Sequence, residues 1–138
     1  SDVYKRQFQF HHLLPEFSAL ENALVPTWIS GNQEKKNDAL ILFETMGLLD
    51  RVDHLPSQLS GGERSRVAVI RALMNQPKIL LADEPTGNLD EKNAIKLIDL
   101  LGKINRDFNQ SIVLTTHNPD VAAFGNKQFK LENGFLYE

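Results

Sequence analysis

Apolar residues recur at helical spacing in three long segments of this chain, which cover residues 33–49, 60–74 and 91–108. In the first segment Ala39, Leu42, Phe43 and Met46 share a face. In the second segment the shared positions are Val67, Ile70 and Met74, and in the third they are Ala94, Leu97, Ile98, Leu101 and Phe108. Gly47 lies near the end of the first segment, and Pro77 stops the second because proline cannot continue a helix. The pattern predicts three amphipathic helices that pack against a core.

Short apolar runs between these helices predict strands. Residues 78–82 (KILLA) and 111–116 (SIVLTT) lack polar alternation, which is typical of parallel strands that are covered on both faces. Residues 128–131 and 135–137 predict a hairpin that turns at Gly134. Because helices and strands alternate along the chain, we expect an α/β fold with a parallel sheet.

Composition narrows the class of protein. A chain of 138 residues with 41% hydrophobic content is long enough for one domain with a core. The absence of cysteine excludes a disulfide scaffold and a thiolate metal site. A formal net charge of −3 with interspersed acids and bases provides no basic stripe, so we expect no nucleic-acid partner.

Polar side chains follow both predicted strands of the parallel sheet. Asp83 and Glu84 follow the first strand, and His117 follows the second. Ligands of open α/β sheets bind at the carboxyl ends of strands, where an aspartate can hold Mg²⁺ and a glutamate can orient or deprotonate an attacking water. A solvated turn is the alternative, since Asp, Glu, Pro and Gly are common turn residues.

The second predicted helix has an unusual first turn. Ser60 and Glu63 have the spacing of a capping box, and Gly61 and Gly62 lie between them. Each glycine weakens a helix by about 1 kcal/mol relative to alanine, so the pair needs an explanation. A closely approaching anion is one explanation, because bare backbone N–H groups and the helix dipole favour a phosphate. Flexible glycines in an ordinary capped helix are the alternative.

Residues 59–63 (LSGGE) resemble the signature motif of the ATP-binding cassette (ABC) ATPases. Other motifs follow in that family's order: residues 79–83 (ILLAD) resemble the Walker B strand and residues 87–90 (GNLD) the D-loop. Gln9 matches the Q-loop glutamine, and the resemblance covers residues 8–138. It implies an α/β fold formed by the C-terminal part of an ABC ATPase domain, with a helical signature subdomain and the later parallel strands of the P-loop core.

The resemblance also implies roles, cofactors and partners. Glu84 and His117 would be catalytic, and Asp83 and Gln9 would contact the metal. ATP and Mg²⁺ are the implied cofactors, with the ATP shared across a dimer of ATPase subunits. Integral membrane permease subunits are the implied partners, at the cytoplasmic face of the bacterial inner membrane. His117 has an alternative role as a neutral structural histidine at a strand end. The residues implied to bind ATP are Gln9, Ser60, Gly61, Gly62, Glu63 and Asp90.

Two stretches suggest a subfamily. Residues 8–22 (FQFHHLLPEFSALEN) resemble the ATPase subunit of bacterial lipoprotein-releasing transporters, and the distinction depends mainly on His11 and His12. Residues 82–90 (ADEPTGNLD) are shared with macrolide-efflux and cell-division subfamilies. The helical segment 13–26, which meets the membrane subunit in transporters, favours transport. A soluble ATPase of DNA repair or translation and a non-catalytic interaction module remain alternatives.

One family motif does not occur. No Gly-x-x-x-x-Gly-Lys-Ser/Thr sequence is present in the 138 residues, although the family places this P-loop before the Q-loop. We therefore expect an N-terminally truncated cassette that is inactive alone. Residues 1–7 (SDVYKRQ) do not form the usual apolar strand and are interpreted as a non-native leader. The partial ABC ATPase domain then covers residues 8–138, with the Q-loop and helical signature subdomain at 8–76 and the catalytic core at 77–138.

Overall fold

A computed structural model describes the backbone at Gln7–Phe8 and the whole chain from residue 13 to residue 138. Parallel strands and packed helices alternate within it, so the predicted α/β class is confirmed. The helices are α1 (Ala19–Ile29), α2 (Lys36–Thr45), α3 (Gly61–Leu73), α4 (Glu91–Asp107) and α5 (Pro119–Ala122). The strands are β1 (Gln7–Phe8), β2 (Ile79–Asp83), β3 (Ser111–Thr115), β4 (Lys130–Glu132) and β5 (Phe135–Tyr137).

Strands β1, β2 and β3 form a parallel sheet with β2 in the centre. Leu80 of β2 is opposite Ile112 of β3, and Asp83 is opposite Thr115. The two strands therefore end at the same level, and the residues that follow them lie at one edge of the sheet. Strands β4 and β5 form a separate antiparallel hairpin.

Only one face of the parallel sheet is covered by the described helices. Leu80 is 0% and Ala82 1% exposed, and both belong to the same core cluster as apolar residues of α3 and α4. On the opposite face Ile79 is 41% and Val113 52% exposed. The expectation that both strands are buried on both faces is therefore wrong for the described part of the chain, because α3 and α4 pack on a single side.

The long helices α3 and α4 match their predicted segments to within one residue at each end, whereas α2 is shorter than predicted. It ends at Thr45 and is followed by Gly47, which has a φ of 70° in the left-handed region that favours glycine. Leu48 is fully buried although it lies beyond the helix. The apolar residues of segment 33–49 therefore include positions that contact the core without belonging to the helix, and the helix is shorter than the apolar pattern predicts.

Helix α1 begins later and ends later than residues 13–26. Ser18 caps it, with Ser18 Oγ accepting from Glu21 N at 3.1 Å and Glu21 Oε1 accepting from Ser18 N at 2.9 Å. The fully buried Asn22 holds the preceding turn, since its Nδ2 donates to the carbonyl oxygens of Leu14 and Phe17. No helix in the described residues is long and apolar enough to cross a membrane.

Candidate functional site

The carboxyl ends of β2 and β3 bring together a set of polar residues, which we call the strand-end group: Asp83, Glu84, Thr115, Thr116 and His117. Thr115 Oγ1 donates a hydrogen bond of 2.6 Å to Asp83 Oδ1. Asp83 is exposed and ends its strand, so the carboxylate faces solvent at the sheet edge. The predicted convergence of Asp83, Glu84 and His117 on one edge of the sheet is confirmed.

Glu84 is held in an unusual backbone conformation by the end of β3. Its φ is 45°, a left-handed value that costs a residue with a Cβ about 1–2 kcal/mol. Glu84 N donates to Thr115 O at 2.9 Å, which extends the β2–β3 pairing by one bond. Glu84 Oε1 accepts from His117 N at 2.6 Å, and Glu84 Oε2 accepts from Thr116 Oγ1 at 3.3 Å. These bonds direct the carboxylate towards the loop that follows β3.

His117 presents its imidazole to solvent. The side chain is fully exposed, and its Nε2 lies 3.6 Å from Glu84 Oε1. That separation is too long for a direct hydrogen bond but close enough for both groups to reach one bound molecule. A packed structural histidine would be buried, so the structure does not support that alternative, and contact between His117 and a ligand stays a prediction.

The residues present fit a magnesium ion whose coordination is completed by water and a substrate. Mg²⁺ is usually held by one or two carboxylates together with waters and substrate phosphates, so a dedicated cage of protein ligands is not required. Asp83 supplies such an exposed carboxylate. Among the described residues no group of three or more acidic or histidine side chains is arranged around a metal position. Gln9, the other predicted metal contact, lies outside the described residues together with His11 and His12, and its role stays a prediction.

The first turn of α3, with residues 59–63, forms what we call the signature turn. Ser60 Oγ accepts from Glu63 N at 3.1 Å and Glu63 Oε1 accepts from Ser60 N at 2.8 Å, which confirms the predicted capping box. Arg51 Nε donates to the other carboxylate oxygen, Glu63 Oε2, at 3.0 Å. The backbone N–H of Ser60 is the main reason that the pKa of the Glu63 carboxyl is lowered. Partial burial opposes this effect, and the Ser60 hydroxyl and Arg51 lower the pKa by smaller amounts. Glu63 is therefore a bound carboxylate with both oxygens in use.

The two glycines of the signature turn have different reasons to be glycine. A Cβ at Gly62 would lie 2.6 Å from Asn93 Oδ1 of α4, which is too close for real atoms. A Cβ at Gly61 would meet only Leu89 Cδ2 at 3.8 Å and Arg64 Nη2 at 3.9 Å, which are ordinary contacts. Gly62 thus has a packing requirement that sequence reasoning missed. Nothing in the described residues requires glycine at position 61, so a bound ligand and a flexible capped turn both remain possible explanations there.

Asp90 caps α4. Its Oδ1 accepts from Asn93 N at 2.7 Å and its Oδ2 accepts from Asn93 Nδ2 at 3.1 Å. An aspartate directly before an apolar-periodic helix is a common capping signal, so the sequence contained this information. The implied contact between Asp90 and ATP stays a prediction beside this structural role.

The signature turn and the strand-end group are separate within one chain. Among the described residues no hydrogen bond or ion pair joins Ser60 or Glu63 to Asp83, Glu84 or His117. The described part of the chain therefore displays two polar regions without a direct bond between them.

Comparisons with known proteins agree with these features. The sequence profile of the ABC transporter family matches residues 3–87. A lipoprotein-releasing system ATP-binding protein LolD from Shewanella sp. (strain MR-7) is 48% identical over 131 residues, which cover 94% of this chain and 57% of that protein. The LolD 2 protein of Chlorobium chlorochromatii (strain CaD3) is 50% identical over 133 residues, 95% of this chain and 55% of that protein. The chain thus spans slightly more than half the length of these relatives.

A solved structure shows the same architecture. The ATP-binding cassette MJ0796, determined as a dimer in a post-hydrolysis state bound to ADP and Pi, superposes with a TM-score of 0.75 at 36% identity. The match covers 96% of this chain and 62% of that chain. Both the predicted fold class and the predicted resemblance to lipoprotein-releasing ATPases are confirmed. The family profile matches more than half of the chain, and the chain therefore belongs to the ABC transporter family.

Proposed function

We propose that this chain provides the catalytic-carboxylate and signature parts of an ABC transporter ATPase that powers lipoprotein release from the bacterial inner membrane. The observation that carries the proposal is the placement of Glu84, bonded to His117 N and Thr116 Oγ1, at the shared end of β2 and β3. The transport of lipoproteins is supported by the names of relatives that are 48% and 50% identical.

The strand-end group would act on magnesium-bound ATP. A magnesium ion held by Asp83 would neutralise charge on the phosphate oxygens, which is a large part of phosphoryl-transfer catalysis. Glu84 would accept a hydrogen bond from the attacking water and place it in line with the terminal phosphate. Its carboxylate is 37% exposed, so it retains access to such a water while two protein donors fix its direction. His117 Nε2 would donate to the same phosphate from its exposed position.

The signature turn would contact the ATP of a second protomer. The Ser60 hydroxyl accepts from Glu63 N, and its own hydrogen would turn from the Glu63 carboxylate to a phosphate oxygen when ATP binds. Gly61 leaves the backbone open beside it. The related cassette MJ0796 is dimeric, which supports a site shared between two protomers. An isologous dimer would then contain two such sites.

Membrane partners and location follow from the same proposal. We infer that integral membrane permease subunits bind the assembled ATPase at the cytoplasmic face of the inner membrane. The lipoprotein-releasing systems to which the relatives belong support this assignment.

Functional replacement tests the proposal. The chain is joined behind the N-terminal segment of the Shewanella LolD that precedes the aligned region, and the completed cassette is expressed in Shewanella cells depleted of their own LolD. We expect lipoprotein release to be restored, and the matched Glu84→Gln cassette, expressed at the same level, to fail. If the completed cassette hydrolyses ATP in vitro but never restores release, the assignment to lipoprotein release is wrong while the ATPase assignment survives.

A further inference from the structure

Arg51 bridges two carboxylates next to the signature turn. Its Nε donates to Glu63 Oε2 at 3.0 Å, and its Nη1 donates to Asp50 Oδ2 at 2.9 Å. The Glu63 side chain is only 19% exposed, whereas the Asp50 side chain is 72% exposed. Water therefore screens the charge of Glu63 less than that of Asp50, and of the two ion pairs the one with Glu63 is the less screened.

The negative charge of Glu63 would oppose the binding of a phosphate at the proposed site. It carries a full negative charge in the same helical turn as Ser60 and Gly61, where an ATP phosphate is proposed to bind. A carboxylate close to a phosphate repels it, and the repulsion grows when the carboxylate is shielded from water. The same carboxylate is needed locally because Glu63 Oε1 accepts the backbone N–H of Ser60. The carboxylate therefore stabilises the turn while its charge would oppose a phosphate.

A second arginine, Arg64, places a positive charge near the signature turn. Arg64 Nη1 donates to Leu59 O at 2.6 Å, and Arg64 Nη2 would lie 3.9 Å from a Cβ at Gly61. This guanidinium bonds to a neutral carbonyl, so its positive charge is not cancelled by that bond. Arg64 therefore adds a positive charge beside Gly61.

We propose that Arg51 is a positioning residue that neutralises Glu63, so that the signature turn can hold its capping carboxylate and still accept an anionic phosphate. This inference rests on the proposed function, in which Ser60 and Gly61 contact ATP. In this inference Glu63 belongs to the helix cap and does not contact ATP directly. Arg51 does not touch the nucleotide either, but it helps to determine the apparent affinity for nucleotide.

A double-mutant cycle on the completed cassette separates charge from structure. The variants are Arg51→Gln, Glu63→Gln and the double variant, and KM for ATP and kcat are measured separately under matched salt. Arg51→Gln should raise KM by about three- to tenfold, as expected for one uncompensated and partly shielded charge. In the Glu63→Gln background, where the acceptor stays but the charge is gone, the same change should alter KM by less than about twofold. Arg51→Lys, which keeps the positive charge, should stay close to the wild-type KM.

Two controls make the result decisive. Arg106→Gln, on the exposed end of α4, changes the net charge equally but lies outside both polar regions, and it should leave KM unchanged. If Arg51→Gln and the double variant are impaired equally, Arg51 acts as a structural brace and the inference is overturned. The variant Gly61→Asp tests the underlying function. If Gly61→Asp leaves hydrolysis intact, the signature assignment itself fails, whereas collapse with Gly61→Asp but no coupling in the cycle overturns only the role of Arg51.

Discussion

Asn93 of α4 packs against Gly62 of α3, so a side chain at position 62 would require Asn93 to move. Asn93 Oδ1 lies 2.6 Å from the place where a Cβ of Gly62 would be, while Asn93 Nδ2 donates to the Asp90 carboxylate at 3.1 Å. One amide side chain thus joins the signature turn to the cap of α4. Any shift of Asn93 changes both.

Gly62→Ala should therefore destabilise the fold, and Gly61→Ala should not. We expect a loss of roughly 1–3 kcal/mol for Gly62→Ala, as for other substitutions that overpack a close contact. Gly61→Ala, the matched control, should be neutral or slightly stabilising because alanine favours helix more than glycine does. The measurement is urea unfolding of the completed cassette and its variants. Equal stability of the two variants would show that the Asn93 contact does not constrain Gly62, and Asn93→Ala should relieve the Gly62→Ala defect.

Glu84→Gln should retain ATP binding and lose hydrolysis. The amide keeps an oxygen that can accept from His117 N, so the local geometry survives, but the charge that orients water is gone. We expect kcat to fall by about a hundredfold to ten-thousandfold with an unchanged apparent affinity for ATP. Steady-state turnover comparable to the wild type would remove Glu84 from its proposed role.

Asp83→Asn should weaken nucleotide binding only when magnesium is present. The asparagine oxygen can still accept the bond from Thr115 Oγ1, so the strand end is preserved while the ligand charge is lost. ATP binding is compared with magnesium and with a chelator. A magnesium dependence identical to the wild type would place the ion elsewhere.

The contribution of Glu63 to the stability of the folded state should be lost at acidic pH. The pKa of Glu63 is lowered from its ordinary value of 4.5, chiefly by the backbone N–H of Ser60, so the carboxylate form stabilises the folded state above that value. The contribution is lost as the pH falls below 4.5 and through the folded pKa, because the unfolded chain binds the proton first. Thermal midpoints of wild type and Glu63→Gln are compared across this range. The advantage of the wild type should shrink towards acid, and a constant difference would contradict the bound-carboxylate geometry.

The 138 residues alone should not hydrolyse ATP. They contain no P-loop motif, and phosphoryl transfer depends on a held and charge-neutralised phosphate, so Glu84 would have no positioned target. The completed cassette, measured under the same conditions, serves as the active control. Tight ATP binding and hydrolysis by the chain alone, with a magnesium dependence abolished by Asp83→Asn, would reveal a different phosphate site.

Features that depend on residues close together in the chain could be predicted from the sequence. The capping box of Ser60 and Glu63 follows from their spacing, and the shared edge of Asp83 and His117 follows from two parallel strands of equal register. The apolar run of β3 does not by itself reveal the exposure of Val113, because an apolar strand residue does not show which helices cover it. Contacts between distant segments were also missed, since neither Arg51 with Glu63 nor Gly62 with Asn93 leaves a local pattern in the sequence.

The left-handed backbone of Glu84 and its carboxylate have opposite effects on stability at a single residue. With a φ of 45°, a glycine would avoid the Cβ clash of this region and would gain about 1–2 kcal/mol. Glu84→Gly would also remove the acceptor of His117 N and Thr116 Oγ1, and the loss of two hydrogen bonds to a charged group costs at least as much. A library selected only for heat resistance should therefore enrich Glu84→Gln over Glu84→Gly, whereas selection for turnover should retain only glutamate, and the two selections can be compared without knowledge of the transported cargo.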